Sequence, residues 1–479
     1  MRQEEMLIGG RWRPAADGGV VEVDDPATGR VVATVPRATD GDLDEAIAAA
    51  DQGFRMWRQA DAWERSRRLR DAADRIRDDR EAIAALLTEE QGKPLAQSLA
   101  EVDTCVDQFE WYADEARRVY GRIVPGMTSD VRIEVRREPV GPVAAFTPWN
   151  FPIMLAARKL APALAAGCSV VLKPAEEAPS ACLRMVRAIA SAGFPDGAIN
   201  AVTGDPAAVS ERLVASRVIR KISLTGSIRV GSLLLRLAAD TIKDVSMELG
   251  GHAPVVVWSD VDVEKVARLA AATKYRNAGQ VCISPTRFLV HADIAERFAD
   301  AFVEAARHVV VGDGRDPSTT MGPLASRRRL DEVSALVADA VDNHGARLLT
   351  GGEPLAGLGP GHFFAPTVLA DVPADVPIAT VEPFGPVALM STITSLDEAL
   401  RLANATDYGL AAYAFTNDLD RGRRLTEGLE AGMVGLNSFA VSTPVAPFSG
   451  VKSSGIRAEN GTEAMDAYLV SKTVVTGIG

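Results

Sequence analysis

Residues 143–174 read VAAFTPWNFPIMLAARKLAPALAAGCSVVLKP, and this stretch decides the fold. A four-residue apolar run, Val143–Phe146, is too short for a buried helix and is bounded by a proline-rich turn, so it reads as a strand. An Ala- and Leu-rich helical segment follows and stops at Gly167, and Ser169–Leu172 then gives a second short apolar run. The same alternation continues downstream with IRKISL, a helix after Gly226, DVSMEL and PVVVW. Strands that alternate with helices predict repeated βα units and a mostly parallel sheet. A second series from about Val261 to Gly435 contains TRFLVH, GPVALMSTI, AAYAFT and MVGLN. Two α/β domains of Rossmann type are the expected architecture.

Upstream, VVEV, the turn around Pro26 and Gly29, and RVVATV predict a hairpin. Helical patterns then run over about 43–57, 62–91 and 95–120, and GGEPLAGLGPGH (351–362) reads as a surface loop. The 479 residues are 47% hydrophobic and 24% charged, as in a soluble globular protein. The net charge of -12 carries no acidic tail and no basic patch, which argues against nucleic acid as a partner. The N-terminus is charged from Arg2 and lacks an apolar core segment, and no apolar run approaches the ~20 residues of a membrane span. A cytoplasmic location without membrane association is expected. Four cysteines (Cys105, Cys168, Cys182, Cys282) make no CxxC pair, and five histidines are scattered, so neither a disulfide framework nor a metal site is expected.

Five segments carry polar chemistry in rigid or glycine-rich surroundings. Gly279-Gln280-Val281-Cys282-Ile283-Ser284 places a cysteine in a loop after a helix; alone it favours a buried structural thiol over a nucleophile. In Thr147-Pro148-Trp149-Asn150-Phe151-Pro152 two prolines restrict the loop, so Asn150 either caps the next helix or presents an amide in fixed orientation. Met247-Glu248-Leu249-Gly250-Gly251 ends a strand on a carboxylate beside two glycines. Glu382-Pro383-Phe384-Gly385-Pro386 sets another carboxylate in turn chemistry. Thr225-Gly226-Ser227-Ile228-Arg229-Val230-Gly231 joins a strand to a helix, where backbone amides can meet a pyrophosphate, although by itself a plain cap at Ser227 is the more economical reading.

Together and in this order, the five segments and Pro447-Phe448-Ser449-Gly450-Val451-Lys452 resemble the aldehyde dehydrogenase superfamily along nearly the whole chain. Ser449 departs from the glycine usual there. The resemblance implies Cys282 as nucleophile, Asn150 with the Cys282 N–H as oxyanion donors, and Glu248 as general base. It also places Lys159 near the catalytic centre. For the cofactor it implies Lys173 and Glu176 at the adenosine ribose, Thr147 and Trp149 along the cleft, Gly226 and Ser227 at the pyrophosphate, and Glu382 and Phe384 at the nicotinamide end. A carboxylate at Glu176 favours NAD over NADP, because it accepts ribose hydroxyls and repels a 2'-phosphate.

Arg158 and Arg276 match positions at which succinate-semialdehyde dehydrogenases hold the distal carboxylate, and Ser442 or Thr443 adds a hydroxyl. Such a small-molecule aldehyde is the expected substrate. The competing readings are a dehydrogenase for uncharged aliphatic or aromatic aldehydes, an acylating enzyme, against which Glu248 argues, and a catalytically silent relative. Ser284 stands where some semialdehyde enzymes carry a second cysteine, which excludes a redox disulfide at that spacing. By the same resemblance, residues 1–120 and 140–247 form an NAD-binding domain and 248–440 a catalytic domain. Residues 121–139 and 455–479 form a β arm for a homodimer or homotetramer.

Overall fold

The computed structural model describes residues 1–477. The deciding stretch forms a strand, a helix and a strand at Val143–Phe146, Pro152–Ala166 and Val170–Lys173. The helix begins on Pro152, whose missing N–H loses nothing in a first turn, and ends at Gly167, which takes the left-handed conformation (φ 94°). Its residues are almost all buried, and all but Arg158 and Lys159 are apolar or small.

The first sheet has eight strands in the order Gly455–Ile456, Asp244–Glu248, Lys221–Thr225, Val143–Phe146, Val170–Lys173, Ile199–Ala201, Met6–Ile8, Arg11–Arg13. From Asp244–Glu248 to Ile199–Ala201 the strands are parallel, and the pairs beyond them are antiparallel. From Val143–Phe146 the chain builds outward in one direction to Ile199–Ala201. It then returns to the other side of Val143–Phe146 for Lys221–Thr225 and Asp244–Glu248. This reversal of winding opens a crevice at the carboxyl ends of Phe146 and Thr225, where open α/β sheets bind ligands.

A second sheet of seven strands has the order Arg347–Thr350, Thr367–Ala370, Val387–Ile393, Arg287–His291, Pro254–Val257, Ala411–Phe415, Met433–Leu436, parallel except for its first pair. The expected hairpin forms from Val20–Asp25 and Arg30–Pro36. A three-stranded antiparallel sheet joins Arg122–Pro125, Val131–Pro139 and Leu469–Gly477, with Leu469–Gly477 at one edge.

Two expectations need correction. The helix expected over 62–91 divides at Asp79 into Ala62–Asp78 and Arg80–Gln91; Asp79 leaves helical geometry (φ -103°, ψ 14°) and takes two bonds from Arg184 at 2.6 and 2.7 Å. The segment expected to form the arm from 455 onward also divides. Gly455–Ile456 instead extends the first sheet against Asp244–Glu248, a short helix spans Glu463–Ala467, and only Leu469–Gly477 joins the three-stranded sheet. Residues 478 and 479 of that segment lie outside the described residues.

Candidate active site

At the crevice, Thr225 runs into Gly226 and Ser227, and the Ser227 hydroxyl accepts from Val230 N at 3.3 Å to cap the helix Ile228–Ala239. The helix thus points its free N–H groups and positive dipole end at the opening. Glycine is required nearby for space: a Cβ on Gly231 would lie 2.7 Å from Leu249, and one on Gly250 2.7 Å from Glu382 Oε2.

Facing it, the helix Val263–Tyr275 ends in a left-handed turn at Asn277, Ala278 and Gly279 (φ 49°, 52° and 70°). For the first two this geometry costs roughly 1–3 kcal/mol each, so the surroundings must enforce it. They do so with hydrogen bonds. Asn277 Nδ2 donates to Asn150 O at 2.9 Å, Gln280 Nε2 to Asn277 O at 3.1 Å, and Ala325 N to Gln280 Oε1 at 2.9 Å. A Cβ on Gly279 would collide with Gly385 O at 2.1 Å. The turn delivers Cys282 to the wall of a cavity of about 370 Å³ that Trp149, Asn150, Ser227, Glu382 and Phe384 also line. Asn150 Nδ2 donates to Gln280 O at 3.0 Å, which fixes its amide beside the nucleophile loop. Trp149 and Phe384 meet edge to face at 5.5 Å.

Behind the cavity lies a buried charged cluster. Glu248 is 2% exposed and neither carboxylate oxygen has a hydrogen-bond partner. Burial, reinforced by the Glu459 carboxylate, pushes its pKa well up, against the pull of Lys159 and Arg158. Lys159 forms an ion pair with Glu459 and donates to Thr225 Oγ1 at 2.8 Å. The Cys282 thiol is pushed up to about 12 by burial and the Glu382 carboxylate, while the Arg158 guanidinium opposes the rise. Burial pushes Glu382 up to about 8, opposed by the Gly251 N–H and by Arg329 and Lys274.

Arg158, also 2% exposed, donates from Nη2 to Ser442 Oγ at 2.6 Å and lies 4.4 Å from the Phe448 ring centroid. Among the described residues it forms no ion pair, and its Nε has no partner. Arg276 does not join this pair: its guanidinium lies over the Phe151 ring at 5.3 Å and borders a separate groove that includes Gln97, Tyr275 and Thr320. Lys173 and Glu176 pair at 2.5 Å beyond the neighbouring strand, outside the cavity wall. Thr147 also lies off that wall, with its buried hydroxyl unpartnered. Gly226 lines the cavity.

Several residues of the site carry no signal in the sequence read alone. Glu459 acts on Glu248 from beyond position 450. Arg329 donates to Pro383 O at 2.5 Å and so supports the Glu382–Phe384 loop; it lines the cavity with Arg229 and Arg328. Lys274, buried and pushed down to about 7, donates to the hydroxyls of Ser284 and Thr286 at 3.2 and 3.1 Å. Only the position of Arg229 in the opening of its helix offered a hint.

A cysteine, an amide and a buried carboxylate thus gather at the switch point of an α/β sheet, beside a capped helix N-terminus. Residues 12–474 match the aldehyde dehydrogenase family, and the chain belongs to it. It is 47% identical to 4-(hydroxymethyl)benzenesulfonate dehydrogenase of Comamonas testosteroni, covering 98% of each chain. It is 43% identical to the mitochondrial succinate-semialdehyde dehydrogenase of Arabidopsis thaliana, over 98% of this chain and 89% of that one. Among solved structures, an NADP dependent enzyme of Escherichia coli superposes with a TM-score of 0.97 at 39% identity, over 99% of this chain and 98% of that one.

Proposed function

We propose that the protein oxidises an aldehyde with an anionic tail, succinic semialdehyde or a related carboxylated aldehyde, to its acid through a thioester on Cys282. One observation carries the tail assignment: a buried guanidinium at Arg158 with no carboxylate partner. A buried cation left unpaired is costly, and a planar fork of donors suits a carboxylate or sulfonate. The related enzymes named for succinate semialdehyde and for a benzenesulfonate support an anionic substrate class.

In this reading the Cys282 thiol gives up its proton to solvent, the thiolate attacks the aldehyde carbon, and the carbonyl oxygen takes up the negative charge. The second N–H of Asn150 and the Cys282 N–H hold that charge, a contribution of roughly 3–4 kcal/mol per donor. Bound NAD supplies the acceptor for the hydride that leaves the thiohemiacetal carbon. Glu248 then removes a proton from water, the water oxygen adds to the thioester, and the Cys282 thiolate departs as the carboxylic acid forms. Its raised pKa makes Glu248 a stronger base once ionised.

The pocket suits a dinucleotide: the capped helix N-terminus, Arg229 and Arg328 offer donors to phosphates. Glu176, beside Lys173, favours a free ribose hydroxyl and hence NAD over NADP. We also assign the first sheet to cofactor binding, the second to catalysis, and the three-stranded sheet to a homodimer or homotetramer contact, since an open edge strand calls for a partner.

The test is reduced-nicotinamide formation with matched aldehydes: succinic semialdehyde against propanal, and 4-formylbenzenesulfonate against benzaldehyde, each with NAD and NADP. The charged member of a pair is expected to win in kcat/KM by about a hundredfold, the worth of a bidentate charge-assisted contact of ~3 kcal/mol. Faster turnover of both uncharged aldehydes would remove the anionic-tail assignment and leave the aldehyde oxidation standing.

A further inference from the structure

We infer that the buried ion pair Lys93–Glu101, remote from Cys282 in sequence, is a positioning pair that sets the orientation of the Asn150 amide. The inference rests on Asn150 acting as the oxyanion donor. Gly92 ends the helix Arg80–Gln91 in the left-handed conformation (φ 89°), and a Cβ there would lie 2.6 Å from Pro323, so the turn is tight. It sends Lys93 inward. Lys93 Nζ meets Glu101 Oε2 at 2.5 Å with both side chains wholly buried, and also donates to Asn150 O at 2.7 Å. Its ammonium lies 4.0 Å from the Phe151 ring centroid.

Glu101 turns its other oxygen to the backbone N–H groups of Ile153 and Met154, both at 3.2 Å. The helix Pro152–Ala166 has no side-chain cap of its own, so a carboxylate from another helix fills that place. The Asn150 carbonyl therefore receives two donors, Lys93 from one direction and Asn277 of the nucleophile loop from another. The residue after Asn150 lies under the ammonium, and the next helix is anchored by Glu101. Desolvating two full charges is an expensive way to hold a packing contact that apolar side chains could make. What the pair adds is direction: a donor on Asn150 O and an acceptor at the start of the helix that follows. Oxyanion donors act only when fixed before the charge appears, so this backbone clamp bears directly on the rate.

A double-mutant cycle tests the inference. The variants are Lys93→Met, Asn150→Ala and the double, and the probe is hydrolysis of p-nitrophenyl acetate. An activated ester needs the thiol and the oxyanion donor but neither cofactor nor anionic tail. Lys93→Met should lower kcat about ten- to a hundredfold with KM within about threefold, and in the Asn150→Ala background it should lower kcat by less than about threefold. An equal factor in both backgrounds, or an unchanged kcat in Lys93→Met, would overturn the inference while leaving Asn150 as donor. Asn150→Ala at the wild-type rate would overturn the donor assignment and the clamp with it. If Lys93→Met does not fold, Glu101→Gln, which keeps the shape and removes the charge, enters the same cycle with the same readings.

Discussion

Arg158→Met should lower kcat/KM for succinic semialdehyde by about two to three orders of magnitude more than it lowers that for propanal. The side chain is 2% exposed, its one close polar partner is the neutral Ser442 hydroxyl at 2.6 Å, and among the described residues no carboxylate lies within ion-pair distance. A substrate carboxylate would complete a buried pair, and removing one member of such a pair costs roughly 3–5 kcal/mol. At ~1.4 kcal/mol per decade this is a factor of about 10² to 10³. Arg158 also holds the Cys282 thiol and Glu248 lower than they would otherwise stand, so its loss slows every aldehyde near neutral pH. The comparison is therefore the ratio of the two losses at one pH, from which that shared factor cancels. The same reasoning fixes the sign for stability. Without substrate the buried cation is unpaired, so methionine, of similar length and no charge, should leave the melting temperature equal or higher. Equal losses on both aldehydes, with a lower melting temperature, would show that Arg158 is a packing residue and not a holder of the substrate's tail.

Cys282→Ala should abolish aldehyde oxidation while NAD still quenches the fluorescence of Trp149, which lines the same cavity; an active alanine variant would remove the thiol mechanism. Glu459→Gln removes the carboxylate that helps push Glu248 up. Glu248 must be ionised to act, so the rising limb of kcat against pH should move to lower pH, and a limb that stays or moves upward would contradict the assigned coupling. Truncation after Tyr468 removes the strand that pairs along Val131–Pro139; sedimentation should then give a monomer, and an unchanged assembly mass would place the interface elsewhere.

The α/β architecture was legible because both series of strands are short apolar runs bounded by turn residues, and their helices are long enough to be told apart. That Cys282, Asn150 and Glu248 stand near one crevice was legible for a related reason: each sits in or beside a loop or element end rich in glycine or proline. The remainder depends on distance. Glu459 reaches Lys159 across 300 positions, and Lys93 reaches Asn150 across 57, so no local pattern announces either contact. The left-handed pair Asn277 and Ala278 is held through a hydrogen bond from Asn277 to another segment, against the preference of Ala278. The sequence placed Arg158 and Arg276 in one pocket by analogy, yet only Arg158 and Ser442 meet, because Arg276 lies against Phe151. Asp79 broke a helical pattern that periodicity alone would continue, since its bonds to Arg184 form only after folding.

The central claim is a thioester on Cys282 that Glu248 resolves, and acid-quenched mass spectrometry of Glu248→Gln mixed with succinic semialdehyde and NAD tests it most directly. The account predicts a burst of one reduced nicotinamide per active site together with a succinyl adduct on the peptide that contains Cys282. Steady turnover at the wild-type rate with no adduct on that peptide would contradict it.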